Sequence, residues 1–153
     1  MKNSPLFGAL AIALTLGACK KDDEKPKSKT ELLTAKNWRI TEDKRTTATS
    51  TQSTTTDAYA SYQECMKDDF VKYNTNKQVE FNKGTTKCSA TEAQSQTNNW
   101  DFTADETKLI LSASSGFSVT YDIVELNASA MKLKVTNTSQ GTTSTQEVTF
   151  AAF

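Results

Sequence analysis

The alternation that decides the fold runs through residues 117–126, FSVTYDIVEL. Every second residue of its first part is apolar, in the order Phe117, Val119, Tyr121 and Ile123. A period of two is typical of a β-strand with one buried face. The apolar positions then shift by one residue to Val124 and Leu126, and such a shift predicts a β-bulge. The segment therefore predicts one bulged strand that places one face in a core.

Similar segments lie on both sides of this strand, and turn-forming residues separate them. The predicted strands are Trp38–Ile40, residues 70–73, 78–81, 86–90, 99–102, 108–111 and 131–135, and a last strand through Val148 and Phe150. No helical periodicity lies between them, so sequential strands are expected to pair antiparallel. About eight such strands favour an up-and-down barrel, because closure removes the exposed sheet edges. The predicted fold class is therefore all-β, an antiparallel up-and-down β-barrel.

Two segments near the start of this domain depart from the strand pattern. Ser28 and Glu31 have the spacing of a capping box, which predicts a short helix before the first strand. Residues 46–56 contain only Thr, Ser, Gln and Ala. That composition is compatible with a polar edge strand and equally with a mobile loop.

The first residues of the chain have the layout of an export signal. Lys2 provides a positive charge, and residues 6–16 form an apolar run that is shorter than the roughly 20 residues of a membrane-spanning helix. Leu16-Gly17-Ala18-Cys19 then resembles the lipobox of bacterial lipoproteins. This resemblance implies that residues 1–18 are removed and that acyl chains such as palmitate are attached to Cys19. The alternative is an ordinary secreted protein with a chance cysteine.

A charged segment follows Cys19. Residues 19–29 are predicted to form a flexible tether, because the stretch after Cys19 has no apolar residue that packs. Lys21-Asp22-Asp23 is similar to a signal that directs some Gram-negative lipoproteins to the outer face of the outer membrane, and a merely solvated linker is the alternative. We expect residues 30–153 to be one domain, anchored by lipid to the outer membrane and exposed at the cell surface.

Two further cysteines remain once Cys19 is used for lipidation. Cys65 and Cys88 are an even pair in a compartment where disulfides persist, so a disulfide between them is expected. Two buried free thiols are the alternative. The loop that the bridge closes would contribute roughly 3 kcal/mol on the chain-entropy model.

Composition argues against several classes of function. The chain has 18 basic and 18 acidic residues and no basic stripe, which argues against nucleic-acid binding. It has no histidine, so the commonest general base and metal ligand is missing. Asp68 and Asp69 are adjacent carboxylates, but capping a turn is a more frequent role for such a pair than binding Ca²⁺. We expect no enzyme activity, no cofactor and no metal.

Several short motifs in order resemble the lipocalin-like domain family of bacterial lipoproteins, over Leu32 to Phe150. They are Leu32-Leu33 with Trp38, Cys65-Met66-Lys67-Asp68-Asp69, Lys87-Cys88, Trp100-Asp101-Phe102, Leu109-Ile110-Leu111, Tyr121-Asp122-Ile123 with Leu126, and Met131-Lys132-Leu133. The resemblance implies a small lipocalin-like barrel with the two internal cysteines bridged. The Gly-x-Trp signature of lipocalins is absent, because Lys36 stands two residues before Trp38.

These inferences lead to a binding function. We expect the barrel to hold a small hydrophobic ligand, and a set of large apolar residues is predicted to line its pocket: Trp38, Phe81, Trp100, Phe102, Leu111, Tyr121 and Leu133. The alternative is an accessory scaffold with a filled barrel, whose surface contacts a partner protein.

Overall fold

The structure is a computed structural model that describes residues 27–153. Its two short helices are α1 (Lys29–Thr34) and α2 (Glu64–Lys67), and a single 3₁₀ turn spans Tyr59–Ser61. The strands are β1 (Asn37–Ala48), β2 (Ser53–Asp57), β3 (Phe70–Tyr73), β4 (Gln78–Asn82), β5 (Ser95–Phe102), β6 (Lys108–Ser112), β7 (Ser118–Leu126), β8 (Ala130–Ser139) and β9 (Thr142–Ala152). The described chain is thus mostly β.

Eight strands close into an antiparallel barrel, which confirms the predicted fold class. Strands β3 to β9 pair in sequence order, β1 pairs with β3, and β1 also pairs with β9 to complete the ring. The short β2 is a ninth strand, which pairs with the far half of β1 beyond the point where β3 ends. Each strand except β2 therefore has a neighbour on both sides.

Two bulges set which side chains point inward. In β7 the register shifts between Ile123 and Glu125, at the place where the apolar alternation changes phase. In β1 the register with β9 shifts between Ile40 and Glu42. An extra residue in one strand reverses the facing of every residue beyond it. Because of the shift in β1, the buried position that follows Ile40 is Asp43 and not Glu42.

One end of the barrel is closed by α1. Ser28 caps this helix, and the reciprocal bond from the Ser28 backbone N–H to Glu31 completes the predicted capping box. Leu33 of α1 is fully buried, and the indole N–H of Trp38 donates to the Leu33 carbonyl at 2.8 Å. The Lys29 ammonium also donates to the carbonyl of Glu106 in the β5–β6 turn. The helix therefore fills this end of the barrel and is bonded to its wall.

The opposite end is uneven because the strands differ in length. β1, β8 and β9 have 12, 10 and 11 residues, whereas β3, β4 and β6 have only 4 or 5. The surplus lengths and β2 form a polar four-stranded sheet that extends past the barrel. A row of threonines crosses this extension, in the order Thr55, Thr46, Thr145 and Thr136. Of the two interpretations of residues 46–56, the edge strand is therefore the one that the structure shows.

Two connections flank the open end: residues 58–69 between β2 and β3, and residues 83–94 between β4 and β5. The first contains the 3₁₀ turn and α2. The second is irregular, so the prediction of a short strand over residues 86–90 was wrong. Its backbone is instead held by hydrogen bonds to Asp68 and by the disulfide between Cys88 and Cys65 of the first connection.

Candidate functional site: the barrel interior and its open end

The barrel interior contains a partly open cavity of about 190 Å³. Its wall is mainly apolar and comes from seven strands and the first rim connection: Ile40, Tyr62, Val71, Tyr73, Phe81, Leu111, Tyr121, Leu133, Gln146, Val148 and Phe150. Inward-facing residues of successive strands meet here because cross-strand partners share a face, as Leu133 and Val148 do. A dry cavity of about 150 Å³ is large enough to hold benzene. The interior space thus has the size of a small single-ring molecule.

A wider cleft of about 450 Å³ lies at the rim beside this cavity. The cleft and the cavity share three lining residues, Ile40, Val71 and Phe81, so the two spaces are adjacent. The remaining wall of the cleft is mixed, with apolar Trp38, Phe70 and Ala93 beside polar Asp69, Asn82, Lys83, Glu92, Ser95 and Gln96. Ligand pockets commonly have volumes of about 300–1,000 Å³ with a few polar groups on an apolar wall. The cleft fits that description.

A buried carboxylate lies near the mouth of the cavity. Asp43 is fully buried and accepts three hydrogen bonds, from Arg45 at 3.0 Å, from the Tyr62 hydroxyl at 2.9 Å and from the Gln146 amide at 2.9 Å. Burial raises the pKa of this carboxyl, but the hydrogen bonds from Arg45, Gln146 and Tyr62 together outweigh it, so the pKa lies below its ordinary value. Asp43 is therefore a stable anion that links β1 to β9 and to the connection between β2 and β3.

Tyr62 is the residue through which the first rim connection reaches this network. Burial, together with its bond to the Asp43 carboxylate, raises the pKa of the Tyr62 hydroxyl to about 12. The hydroxyl therefore stays protonated at neutral pH and remains a donor to Asp43. Because Tyr62 also lines the cavity, this bond fixes residues 58–63 across part of the opening.

A cross-link joins the two rim connections to each other. Cys65 in α2 and Cys88 in the second connection form a disulfide, with an S–S distance of 1.95 Å and a Cα–Cα distance of 5.2 Å. The pair that the sequence suggested is thus within bonding distance. Since Glu92 and Ala93 line the cleft, the disulfide anchors one wall of the cleft to the segment opposite.

Asp68 and Asp69 reinforce the same rim. One oxygen of Asp68 accepts from the Thr85 backbone N–H, the Thr85 hydroxyl and the Thr86 N–H, at 2.7–2.9 Å, and the hydroxyl bond is the largest cause of its lowered pKa. Gly84 has φ +59° and lies so close that a Cβ there would stand 2.3 Å from the Asp68 carbonyl oxygen. Asp69 pairs with Lys83 at 3.1 Å. The two aspartates therefore cap and pair with the neighbouring connection, as the turn-capping interpretation predicts.

The residues predicted to line a pocket divide into two groups. Phe81, Leu111, Tyr121 and Leu133 line the interior cavity, and Trp38 and Phe81 line the cleft. Trp100 and Phe102 lie instead in the packed core on the closed side. There the Trp100 ring meets Tyr73 and Phe102 edge to face, and its indole N–H donates to the Asn74 carbonyl at 3.0 Å. These two rings are outside the lining of both spaces.

Sequence reasoning missed four polar residues of the site: Asp43, Tyr62, Tyr73 and Gln146. Tyr73 follows Val71 at strand spacing, so its inward position was open to prediction. Asp43 faces inward only because of the bulge in β1, and Tyr62 lies in a segment without clear periodicity. Cys19 and the leader lie outside the described residues.

Among residues 27–153, no group of three or more carboxylate, histidine or cysteine side chains is arranged to hold a metal ion. None of the helices in the same part of the chain has the length and apolar character to cross a membrane. In comparisons with known proteins, no protein-family model matches the sequence and no curated protein is significantly similar to it.

Proposed function

We propose that the protein binds a small hydrophobic ligand at the open end of its barrel, as a lipocalin-like binding protein rather than an enzyme. The observation that carries this proposal is the apolar cavity of about 190 Å³ beside a cleft of about 450 Å³. A barrel of about eight strands has an interior that side chains just fill or that holds one small ligand. Here the side chains fill the closed end and leave the open end partly empty.

The apolar side chains that the two spaces share favour an apolar molecule that enters through the cleft. The shared residues Ile40, Val71 and Phe81 are side chains without hydrogen-bonding groups, so an apolar ligand loses no polar contacts as it passes them. Polar groups on the cleft wall, such as Gln96 and Ser95, remain available to a more polar outer end of the ligand. The proposed occupant is therefore hydrophobic over most of its surface.

Binding is tested by titration with a panel of hydrophobes that spans cyclohexane, octanol and decanoic acid. Because Trp38 lines the cleft, a bound ligand is expected to change tryptophan fluorescence, and it should raise the melting temperature by mass action. In Trp38→Phe the fluorescence change should be lost while Trp100 still emits. The proposal is wrong if no member of the panel moves either signal at concentrations below its solubility limit.

A matched variant separates binding in the cavity from adhesion to the surface. Leu111 lines the cavity, and Leu111→Phe adds volume to its wall, which should weaken binding. Leu126 also packs against the core but does not line the cavity, so Leu126→Phe serves as the control for overpacking. Equal affinities in both variants would place the ligand elsewhere.

We further propose that the protein is a lipoprotein, anchored to the outer membrane through acylated Cys19 and exposed at the cell surface. The support is the order of positive charge, apolar run, small residues and cysteine in residues 2–19. More than one acyl chain would give stable anchoring, at about 0.8 kcal/mol per buried CH₂. Intact-mass measurement of the native protein should show the acyl mass and loss of residues 1–18, and Cys19→Ser should abolish both.

An accessory scaffold is the second candidate function, and one observation favours it. Phe117, in the β6–β7 turn at the open end, has 69% of its surface exposed. A large exposed aromatic side chain is the kind of residue that anchors protein interfaces. If Phe117→Ser abolishes a partner interaction while the hydrophobe panel shows no binding, the scaffold is the better account.

A further inference from the structure

Two tyrosine side chains that line the interior cavity leave their hydroxyl groups without a partner. Tyr73 is only 1% exposed, and Tyr121 is partly buried against the core. Within residues 27–153, neither hydroxyl makes a hydrogen bond to another side chain or to the backbone, whereas Tyr62 donates to Asp43. Neither oxygen is among the fully enclosed, unpaired side-chain atoms of residues 27–153, so both hydroxyls are open to the cavity space, where a ligand or water can accept their hydrogen bonds.

Both hydroxyl groups are donors at neutral pH. Burial raises the pKa of Tyr73, and a smaller contribution comes from the neighbouring Tyr121. Burial is also the largest cause of the raised pKa of Tyr121, followed by the charge of Asp43. The two phenols therefore keep their protons, and each has an O–H to donate toward the cavity.

The negative charge near the cavity limits which ligands the two tyrosine hydroxyl groups can bind. Asp43 accepts hydrogen bonds from Tyr62 at 2.9 Å and from Gln146 at 2.9 Å, and both of these residues line the cavity, so its negative charge lies beside the cavity wall. Arg45 balances this carboxylate from the solvent side at 3.0 Å. A carboxylate ligand would lose its hydration and meet Asp43 as well, so a neutral acceptor is favoured over an anion.

We propose that the interior cavity binds a neutral, single-ring-sized molecule with one hydrogen-bond acceptor, a ketone or alcohol, that takes hydrogen bonds from Tyr73 and Tyr121. This inference rests on the proposed binding function and adds the chemical class and orientation of the ligand: the acceptor lies at the buried end. The apolar residues Leu111, Leu133 and Val148 enclose the ring. Ordered water in the cavity is the competing account, since hydroxyls in a cavity of this size are also satisfied by water.

The test compares cyclohexanone with methylenecyclohexane, in which the carbonyl oxygen is replaced by a CH₂ group of nearly the same shape. The purified full-length protein is held in lipid nanodiscs and titrated with each compound, and amide shifts of cavity residues report binding. Headspace gas chromatography gives the free concentrations, because both compounds are volatile and partition into lipid. Tyr73→Phe and Tyr121→Phe are the test variants, and Tyr59→Phe, outside the cavity wall, is the control.

We expect the native protein and Tyr59→Phe to prefer the ketone by about three- to tenfold, the effect of one or two neutral hydrogen bonds. Tyr73→Phe and Tyr121→Phe should each reduce that preference while they leave affinity for the hydrocarbon unchanged or improved. If both compounds bind equally in all four proteins, the inference is overturned and the proposed binding function stands. If neither compound shifts any cavity residue, the inference is overturned, and a parallel failure of the hydrophobe panel would also remove the proposed function.

Discussion

The two ends of the barrel are built from the same strands but differ in what fills them. At the closed end, Leu33, Leu109 and Met131 are at most 1% exposed and line neither the cavity nor the cleft. At the open end, the wall surrounds an unfilled cavity, and the order of the rim depends on Asp43, a disulfide and capped turns. Packing thus holds one end, and polar or covalent links hold the other.

This difference indicates that one end of the domain provides stability and the other provides space for a ligand. Side chains packed to native density contribute stability but exclude a guest, whereas a cavity gives up dispersion contacts that a ligand restores. Cross-links and buried hydrogen bonds allow the open end to keep its shape without filling it.

The largest effect is expected at the closed end. Leu109→Ala removes a fully buried side chain that lines neither the cavity nor the cleft, and should lower the free energy of unfolding by about 2–5 kcal/mol. Chemical denaturation followed by circular dichroism measures the change. Leu32→Ala, which alters a half-buried residue of α1, should cost clearly less. A loss below 1 kcal/mol in Leu109→Ala would contradict the view that packing holds this end.

Removal of the disulfide tests the open end. Replacing both Cys65 and Cys88 by Ala should lower the free energy of unfolding by roughly 3 kcal/mol, because 23 residues separate the linked positions and the unfolded chain gains entropy. Amide hydrogen exchange should rise in residues 58–69 and 83–94 and stay unchanged around Leu33. Equal loss of protection at both ends would show that the rim is not an independent unit.

Asp43 should make the stability of the open end depend on pH. Its folded-state pKa lies below the ordinary value of 3.8, so its contribution is fully present above 3.8 and is lost as the pH falls below 3.8 and through the lower folded-state pKa. Asp43→Asn should cost about 1–3 kcal/mol at pH 7 and flatten the loss of stability below pH 4. Denaturation of both proteins from pH 7 to pH 3 measures this. Parallel curves would assign the acid dependence to other carboxylates.

The smallest effect is expected in the polar extension. Hydroxyl pairs link its strands, from Thr46 to Thr55 at 2.8 Å and from Thr136 to Thr145 at 3.2 Å. Thr145→Ala should cost about 0.2–1 kcal/mol, the usual range for a cross-strand pair. Thr145→Val keeps the β-branched shape, so it distinguishes loss of the hydroxyl hydrogen bond from a change in β-sheet propensity. A loss above 2 kcal/mol would mean that the extension supports the barrel more than its contacts suggest.

How far the sequence predicts this molecule depends on local regularity. The apolar alternation through Tyr121 and Ile123, and its change of phase, predict the strand and its bulge. The spacing of Ser28 and Glu31 predicts the start of the helix. The segment around Cys88 was taken for a strand, but Asp68, Gly84 and the disulfide hold it as an irregular connection. Contacts between distant segments override the weak propensity of residues 86–90.

The sequence by itself determined the class of fold, the closing helix and the pairing of strands in order, because alternation, capping and turn residues act over a few neighbours. Only the tertiary structure decided which aromatic residues fill the core and which surround a cavity. Trp100 and Tyr121 follow the same alternation, yet one packs on Tyr73 and the other faces the empty space. The bulge that turns Asp43 inward and the volume left at the open end depend on all eight strands closing together, and no single segment encodes them.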